Sequence, residues 1–536
     1  MTATTAEDAP LRPTGAMERF NIIRNHLNFY NNIQVSATYS LPSSFVSTHG
    51  LLPIIFSALT ENLKMQPILN VKIEDSGVRE PKWMCLPTID LGKTVKVIEQ
   101  DISKSHDNWI TTGHLQRTDR DPTLPLWRII VAVPPSSAQK PESETTSFAL
   151  AFYCHHGIAD GLSAGAFHLT FLSALNKLIS NPSFISPDSV VSTPKIPLVP
   201  SLEQKTNLPV SVWYATKMIF AAFVYSPSSP LTWSGPPIQK EPPTVPPTSS
   251  LISFSIPSSD VQKLVTKCRE QKTTLTCLVS VLAARHLATI HPSHKRFTGS
   301  IPFSFRKFTG HAPLDMGCYT SLCAPQYSSE TTTPAGYISC LSSSNPLVKK
   351  QDEELLWDSA RKCRQVIEEN TKEIRNQAVN MLKFVPDLRG FFLGKLGGKR
   401  EHAYEVTNIG VLDGGLGAGK EGGKGKATFS KATFSKATFS TALCTYGDPH
   451  CVSMVTVRGG DMTVGINWIE AVTPGEEARG LKDFLEGQLR EMAENFVPGR
   501  NVYVSGREES HSAGSGMRVW IGAGLVVVAA GVWMSL

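Results

Sequence analysis

Apolar residues in this chain recur at two spacings, and the order in which the spacings alternate predicts its elements. Phe20, Ile23, Leu27 and Tyr30 lie three or four apart within residues 17–33, which predicts one face of a helix. VSATY then reads as a strand, and IIFSALTENL as a second amphipathic helix. WRIIVAV at 127–133 and FALAFY at 148–153 are short unbroken apolar runs, the pattern of strands covered on both faces. The latter leads into CHHGIADG, after which Phe167, Phe171 and Leu175 share one side of a predicted helix. Further on, LISFSI alternates Ile252, Phe254 and Ile256 with polar residues, a half-buried strand. Val261, Leu264, Val265 and Cys268 then return to helical spacing. Thr473-Pro474-Gly475-Glu476 reads as a capping box with proline at the first helical position, opening a helix that carries Leu481, Phe484, Leu485, Leu489 and Met492. Both halves mix helices and strands, so the fold class is α/β, with two comparable units packed side by side.

Between the halves, residues 226–250 hold three proline pairs, at Pro236 and Pro237, Pro242 and Pro243, and Pro246 and Pro247. Such a stretch stays extended and predicts an interdomain linker. The expected organisation is a disordered N-terminus over 1–16, an N-terminal domain over 17–225 and a C-terminal domain over 251–504. Residues 414–440 hold a Gly- and Lys-rich stretch and then KATFS three times in direct succession. A period of five suits neither strand nor helix, so the segment is expected to be a low-complexity surface insertion. VSVWYATKMIFAAFV at 210–224 is too short and interrupted for a span, and is read as a core or interfacial helix.

A chain of 536 residues exceeds what one core usually serves, in keeping with two domains. The formal charge is +6, but Lys and Arg are scattered rather than gathered into a stripe, so no nucleic-acid partner is expected. The first sixteen residues lack the apolar stretch of a secretory leader, and export is not expected. Ten cysteines without a CxxC pair or a metal-ligand cadence predict free thiols, no disulfide and no metal site. Val519 to Leu536 is uncharged, flanked by Arg518, with Trp520 and Trp533 near its ends. Eighteen helical residues span about 27 Å, so a membrane tail anchor behind a polar linker at 505–518 is expected.

The chemistry concentrates in His155-His156-Gly157-Ile158-Ala159-Asp160-Gly161, a loop between a strand and a helix. A neutral imidazole is the side chain suited to accept a proton near pH 7, so the loop is a candidate site of general-base chemistry. One base suffices, so one of the two histidines is read as structural, as is Gly161.

With MERFNIIRNHLNFYNNIQVSATY, PLWRIIVAV, IPFSFRKF, VTNIGVLDG and VRGGDMTVGINW, this HHxxxDG segment makes the chain resemble the fungal alcohol acetyltransferase family, over most of residues 17–500. That family belongs to the HxxxD-motif, CoA-dependent acyltransferase superfamily. The resemblance implies two chloramphenicol-acetyltransferase-like domains with an active-site tunnel between them. It implies acetyl-CoA as co-substrate, no other cofactor, and a small alcohol or amine acceptor. It also implies that His156 is the catalytic base, with His155 structural, and that Asp160 turns from substrate and pairs with an arginine, for which Arg306 in IPFSFRKF is the candidate. Asn408 is the candidate substrate-binding residue on a wall of the site. The DFGWG motif of the plant branch is absent, which favours the fungal branch.

The resulting expectation is an O-acetyltransferase, a monomer at the endoplasmic-reticulum or lipid-droplet membrane with its catalytic domains in the cytosol, or a cytoplasmic enzyme. Transfer to an amine such as a sphingoid base, and a non-catalytic acyl-CoA-binding relic, stay open. Gly161-Leu162-Ser163-Ala164-Gly165 also fits the GxSxG of a serine esterase. HHGIADG intervenes between strand and serine, so Ser163 reads instead as a helix N-cap. Gly414 to Lys420 matches most of a P-loop, but Glu421 stands where Ser or Thr is needed.

Overall fold

The computed structural model describes residues 11–103, 106–135, 143–223, 230–329, 336–337, 346–416 and 431–496. The first half contains α1 (Ala16–His26), β1 (Ile33–Pro42), α2 (Leu51–Met65), β2 (Val95–Glu99), β3 (Trp127–Val133), β4 (Thr145–Cys154), α3 (Gly161–Ser180) and α4 (Val212–Phe223). The second contains β5 (Ser249–Ile256), α5 (Ser258–Glu270), α6 (Leu275–Ile290), β6 (Arg296–Ser304), β7 (Thr320–Cys323), α7 (Pro346–Lys372), β8 (Tyr404–Leu412), β9 (Thr433–Thr441), β10 (His450–Val457), β11 (Met462–Ile469) and α8 (Gly475–Glu494). Among the described residues, one sheet has the order β9-β1-β4-β3-β2, and a larger one is built around β5-β11-β10-β8-β6.

β4 is apolar and buried from Phe148 to Cys154 because both faces of that stretch are covered. Phe148, Leu150 and Phe152 enter the main core, while Ala149, Ala151 and Tyr153 pack with Trp109 and Ile110 on the other side. Phe167 of α3 stacks on Phe152 with ring centroids 3.8 Å apart. Burying such a ring contributes about 1.5–3 kcal/mol and holds α3, and so the loop before it, against β4. Leu278, Val281 and Leu282 of α6 and Leu481, Leu485 and Leu489 of α8 fill the core of the second sheet.

Several expectations are corrected. The first helix ends at His26 instead of continuing to residue 33, because Asn28 takes a left-handed backbone (φ 61°) that asparagine tolerates. Asn25 donates to the Asn31 carbonyl across the resulting turn at 2.6 Å, and Tyr30 thus arrives on a loop. Within the N-terminus expected to be disordered, Arg12–Pro13 pairs with Lys82–Trp83, and Arg12 binds Glu18 at 2.7 Å. The proline-rich stretch is extended, but its described part is a packed strap. Trp233 stacks on His291 at 4.1 Å, Ile238 is buried, and the Pro243 and Thr244 carbonyls accept from Asn28. At the start of α4 Val212 and Trp213 are 84% and 79% exposed, while Met218 further on is buried. α8 begins at Gly475 with Pro474 as N-cap, and the Thr473 hydroxyl donates instead to the Pro449 carbonyl.

The largest correction concerns the KATFS repeats. The first copy lies outside the described residues, but the second and third build β9, which pairs antiparallel with β1 in the sheet of the other half. In a regular strand a five-residue period would send successive phenylalanines to opposite faces. The register shifts between Phe434 and Lys436, and that one-residue irregularity sets Phe434 opposite Tyr39 and Phe439 opposite Val35, both inward and buried. The Ser453 hydroxyl of β10 donates to the Phe439 carbonyl at 2.6 Å, so β9 ties the two sheets together.

The expected linker at 505–518 and anchor at 519–536 lie outside the described residues. Among the described residues no single helix is long and apolar enough to cross a membrane; two sharply bent helix pairs pass on length and composition only.

Candidate active site

A cavity lies between the sheets, lined by α1, by the start of α3, by β6, β7 and β8, and by the end of β9 with the residues after it. The loop that leaves β4 places His155 and His156 at this position. His155 is buried, and its Nδ1 accepts from the Gly157 amide at 2.9 Å, which leaves the proton on Nε2. His156 lines the cavity. Asn21 on α1 donates to the His156 carbonyl at 3.3 Å and to the Cys318 sulfur at 3.2 Å, while the Tyr30 ring stands 5.7 Å from the imidazole. Burial, helped by the charge of Arg24, lowers the His156 pKa to about 3, so the ring is neutral near pH 7.

Asp160 turns away from that ring. It is the N-cap of α3, accepting from the Ser163 amide at 2.8 Å, and it also accepts from the Ser163 hydroxyl at 2.9 Å and the Tyr319 amide at 3.1 Å. Arg306, in a short helical turn just after β6, donates to both Asp160 oxygens at 2.8 and 3.0 Å. Burial alone would raise the Asp160 pKa, but the Arg306 charge and these hydrogen bonds hold it below the usual carboxylate range. Ser163 is therefore not the cap. Its buried hydroxyl binds Asp160, the Gly317 carbonyl at 2.8 Å and Arg306 at 2.7 Å. Among the described residues no histidine ring hydrogen-bonds it, so the esterase arrangement is not assembled.

Gly161 is where α3 meets the second sheet, and a Cβ there would lie 2.7 Å from Ile409. Asn408 sits on the cavity lining but is exposed. Its side chain donates to the Thr276 hydroxyl at 3.0 Å and accepts from the Gly410 amide at 2.8 Å. Asn408 thereby holds the register break of β8, where Gly410 has φ 81°. No cluster able to hold a metal ion occurs among the described residues.

Sequence reasoning missed the charged part of the lining. Arg24 follows Met17, Phe20 and Asn21 on one side of α1, and Glu405 precedes Thr407 and Ile409 along β8. Asp448 lies nearby, accepting from Ser300 at 2.5 Å and bonded to His402 at 3.2 Å.

Two α/β lobes with a histidine loop on the cavity between them define a chloramphenicol-acetyltransferase-like acyltransferase. Solved structures share the fold. A trichothecene 15-O-acetyltransferase from Fusarium sporotrichioides superposes with TM-score 0.64 at 12% identity, covering 92% of this chain and 96% of that one. The starter condensation domain of rhizomide synthetase, solved with C8-CoA, gives 0.54 at 12% identity, covering 90% and 95%. The sequence profile of the alcohol acetyltransferase family matches residues 100–474, and the chain belongs to that family. A probable alcohol acetyltransferase of Aspergillus fumigatus is 26% identical over 85% of this chain and 95% of its own length. Another, from Fusarium pseudograminearum, is 23% identical over 89% and 94%. The protein is an acetyltransferase.

The buried histidines make stability depend on pH. Burial lowers the pKa of His114 and His156 to about 3 and that of His155, His168 and His450 to about 4. In the unfolded chain each titrates near 6.5, so below that pH the unfolded state binds more protons and stability is lost, by up to about 1.4 kcal/mol per pH unit for each group. Glu405 and His402, whose pKa values are raised, act in the opposite sense but are outnumbered. Urea midpoints are expected to change little from pH 7.5 to about 6.5 and then to fall towards pH 5; a constant midpoint below pH 6.5 would refute the burial of these neutral rings.

Proposed function

We propose that the protein transfers acetyl from acetyl-CoA to an acceptor hydroxyl, with His156 as general base. The observation that carries the reading is a neutral imidazole on the cavity while the neighbouring carboxylate, Asp160, is occupied by Arg306 and the start of α3. The acceptor oxygen attacks the thioester carbonyl as His156 takes its proton. The tetrahedral intermediate collapses with cleavage of the C–S bond, and the imidazolium returns the proton to the CoA thiolate. No acyl-enzyme forms. The test is incubation with radiolabelled acetyl-CoA and a panel of alcohols and amines: acetyl esters and free CoA are expected, and amides alone would replace the O-transfer reading with N-transfer.

We further propose that Val519 to Leu536 tethers the enzyme to the endoplasmic-reticulum or lipid-droplet membrane, on the strength of its uncharged composition and flanking aromatics. Deleting residues 517–536 is expected to move the protein from the carbonate-washed membrane pellet to the supernatant, with turnover of a water-soluble acceptor unchanged. Full-length protein that washes off the pellet would reject the tether.

A further inference from the structure

The acceptor expected from sequence was a small alcohol or amine, yet the cavity that holds His156 carries an arginine and a glutamate that no ion pair neutralises among the described residues. Arg24 lines it from α1, its guanidinium 4.1 Å above the Tyr30 ring and 5.4 Å from that of Phe20. Its Nε is buried and has no hydrogen-bond partner among the described residues. The polar neighbours Tyr446 and Cys444 stay protonated, because burial raises both pKa values. Glu405 lines the cavity from β8, and among the described residues its carboxyl is met only by the weak Cys451 thiol donor, at 3.4 Å. Burial and the nearby Asp448 charge raise its pKa to about 7. Asp448 differs, for Ser300 and His402 occupy both its oxygens. Arg24 and Glu405 are close enough to influence one another, but they make no ion pair within 4 Å.

A plain aliphatic alcohol entering this space would take water from a guanidinium and a carboxyl and return nothing to either. Buried polar groups left unmatched in this way weaken binding by about 10- to 100-fold each, and sites built to hydrogen-bond a substrate group discriminate strongly against analogues that lack it.

We propose that Arg24 and Glu405 form a polar recognition subsite in the acetyl-transfer cavity, and that the acceptor is an oxygenated, polyfunctional molecule. Besides the hydroxyl presented to His156, it carries an acceptor oxygen that Arg24 binds and a hydroxyl or N–H that donates to Glu405. The assignment rests on the acetyl-transfer reading for its meaning, but its binding does not require transfer.

Calorimetric titration of the full-length protein without acetyl-CoA keeps the two apart. The probes are matched sets: cyclohexanol against 1,4-cyclohexanediol and 4-hydroxycyclohexanone, and 1-hexanol against 1,6-hexanediol and 6-amino-1-hexanol. In each set at least one oxygenated or amino member is expected to bind about 10-fold or more tightly than its plain alcohol. Glu405→Gln and Arg24→Met, which keep most of each side chain's volume, are expected to reduce that preference to under about threefold while plain alcohols bind as well as before or better. Arg24→Gln serves if the methionine variant lacks the wild-type circular dichroism. Equal binding within both sets overturns the subsite, as does a preference that survives both substitutions. If the preference is found but no acceptor is acetylated in the radiolabel assay, the transfer reading fails and the subsite stands.

Discussion

His156→Ala is expected to lower kcat by about 100- to 10,000-fold, the range contributed by a positioned general base. The folded state should be little affected, since the loop is held by the His156 carbonyl and by His155, and the imidazole adds a weak contact of Nδ1 with the Cys318 sulfur at 3.9 Å. Ser163→Ala separates this reading from a serine hydrolase. Removing its hydroxyl deprives Arg306, Gly317 and Asp160 of a buried partner at a cost of about 1–3 kcal/mol. The stability loss should exceed the change in turnover per folded molecule. Single-turnover measurement with labelled acetyl-CoA checks both, and a serine-directed phosphonate that labels Ser163 and abolishes turnover would sink the base mechanism.

The second large effect is on folding. Asp160 is 1% exposed and Arg306 is its bidentate partner, so removing either side leaves an uncompensated buried charge at a cost of about 3–5 kcal/mol. Asp160→Ala also uncaps α3 and frees the Tyr319 amide. Both single variants should yield less soluble protein, and the double variant should be far less destabilised than their sum. Urea unfolding of all four proteins measures this coupling, and additive losses would reject the pair as the source of the effect.

How far the sequence disclosed this arrangement depends on the range over which each residue acts. WRIIVAV and FALAFY were legible because a strand covered on both faces needs apolar residues throughout. The histidine loop stood out because strand, loop and helix are contiguous around it. The turn at Asn28 was hidden by Leu27 and Tyr30, which continue a helical spacing although the backbone has already left the helix. β9 was unreadable because its five-residue period becomes a strand period only through the irregularity after Phe434. Arg24 and Glu405 lie 381 positions apart and share a cavity only through the fold, so neither spacing nor composition could join them.

The repeats have a consequence for inheritance. Each KATFS unit corresponds to five codons, so slippage during replication that gains or loses a whole unit preserves the reading frame. β9 begins in the second copy and uses the third, while another identical copy precedes them. An allele one unit shorter still supplies both copies that β9 uses, with the same Phe434 and Phe439 counterparts facing Tyr39 and Val35. Only the connection before β9 changes length, and loop length enters stability logarithmically, at roughly 0.6 kcal/mol for a doubling. A direct repeat is thereby placed where variation in its copy number would leave the strand that joins the two sheets unchanged.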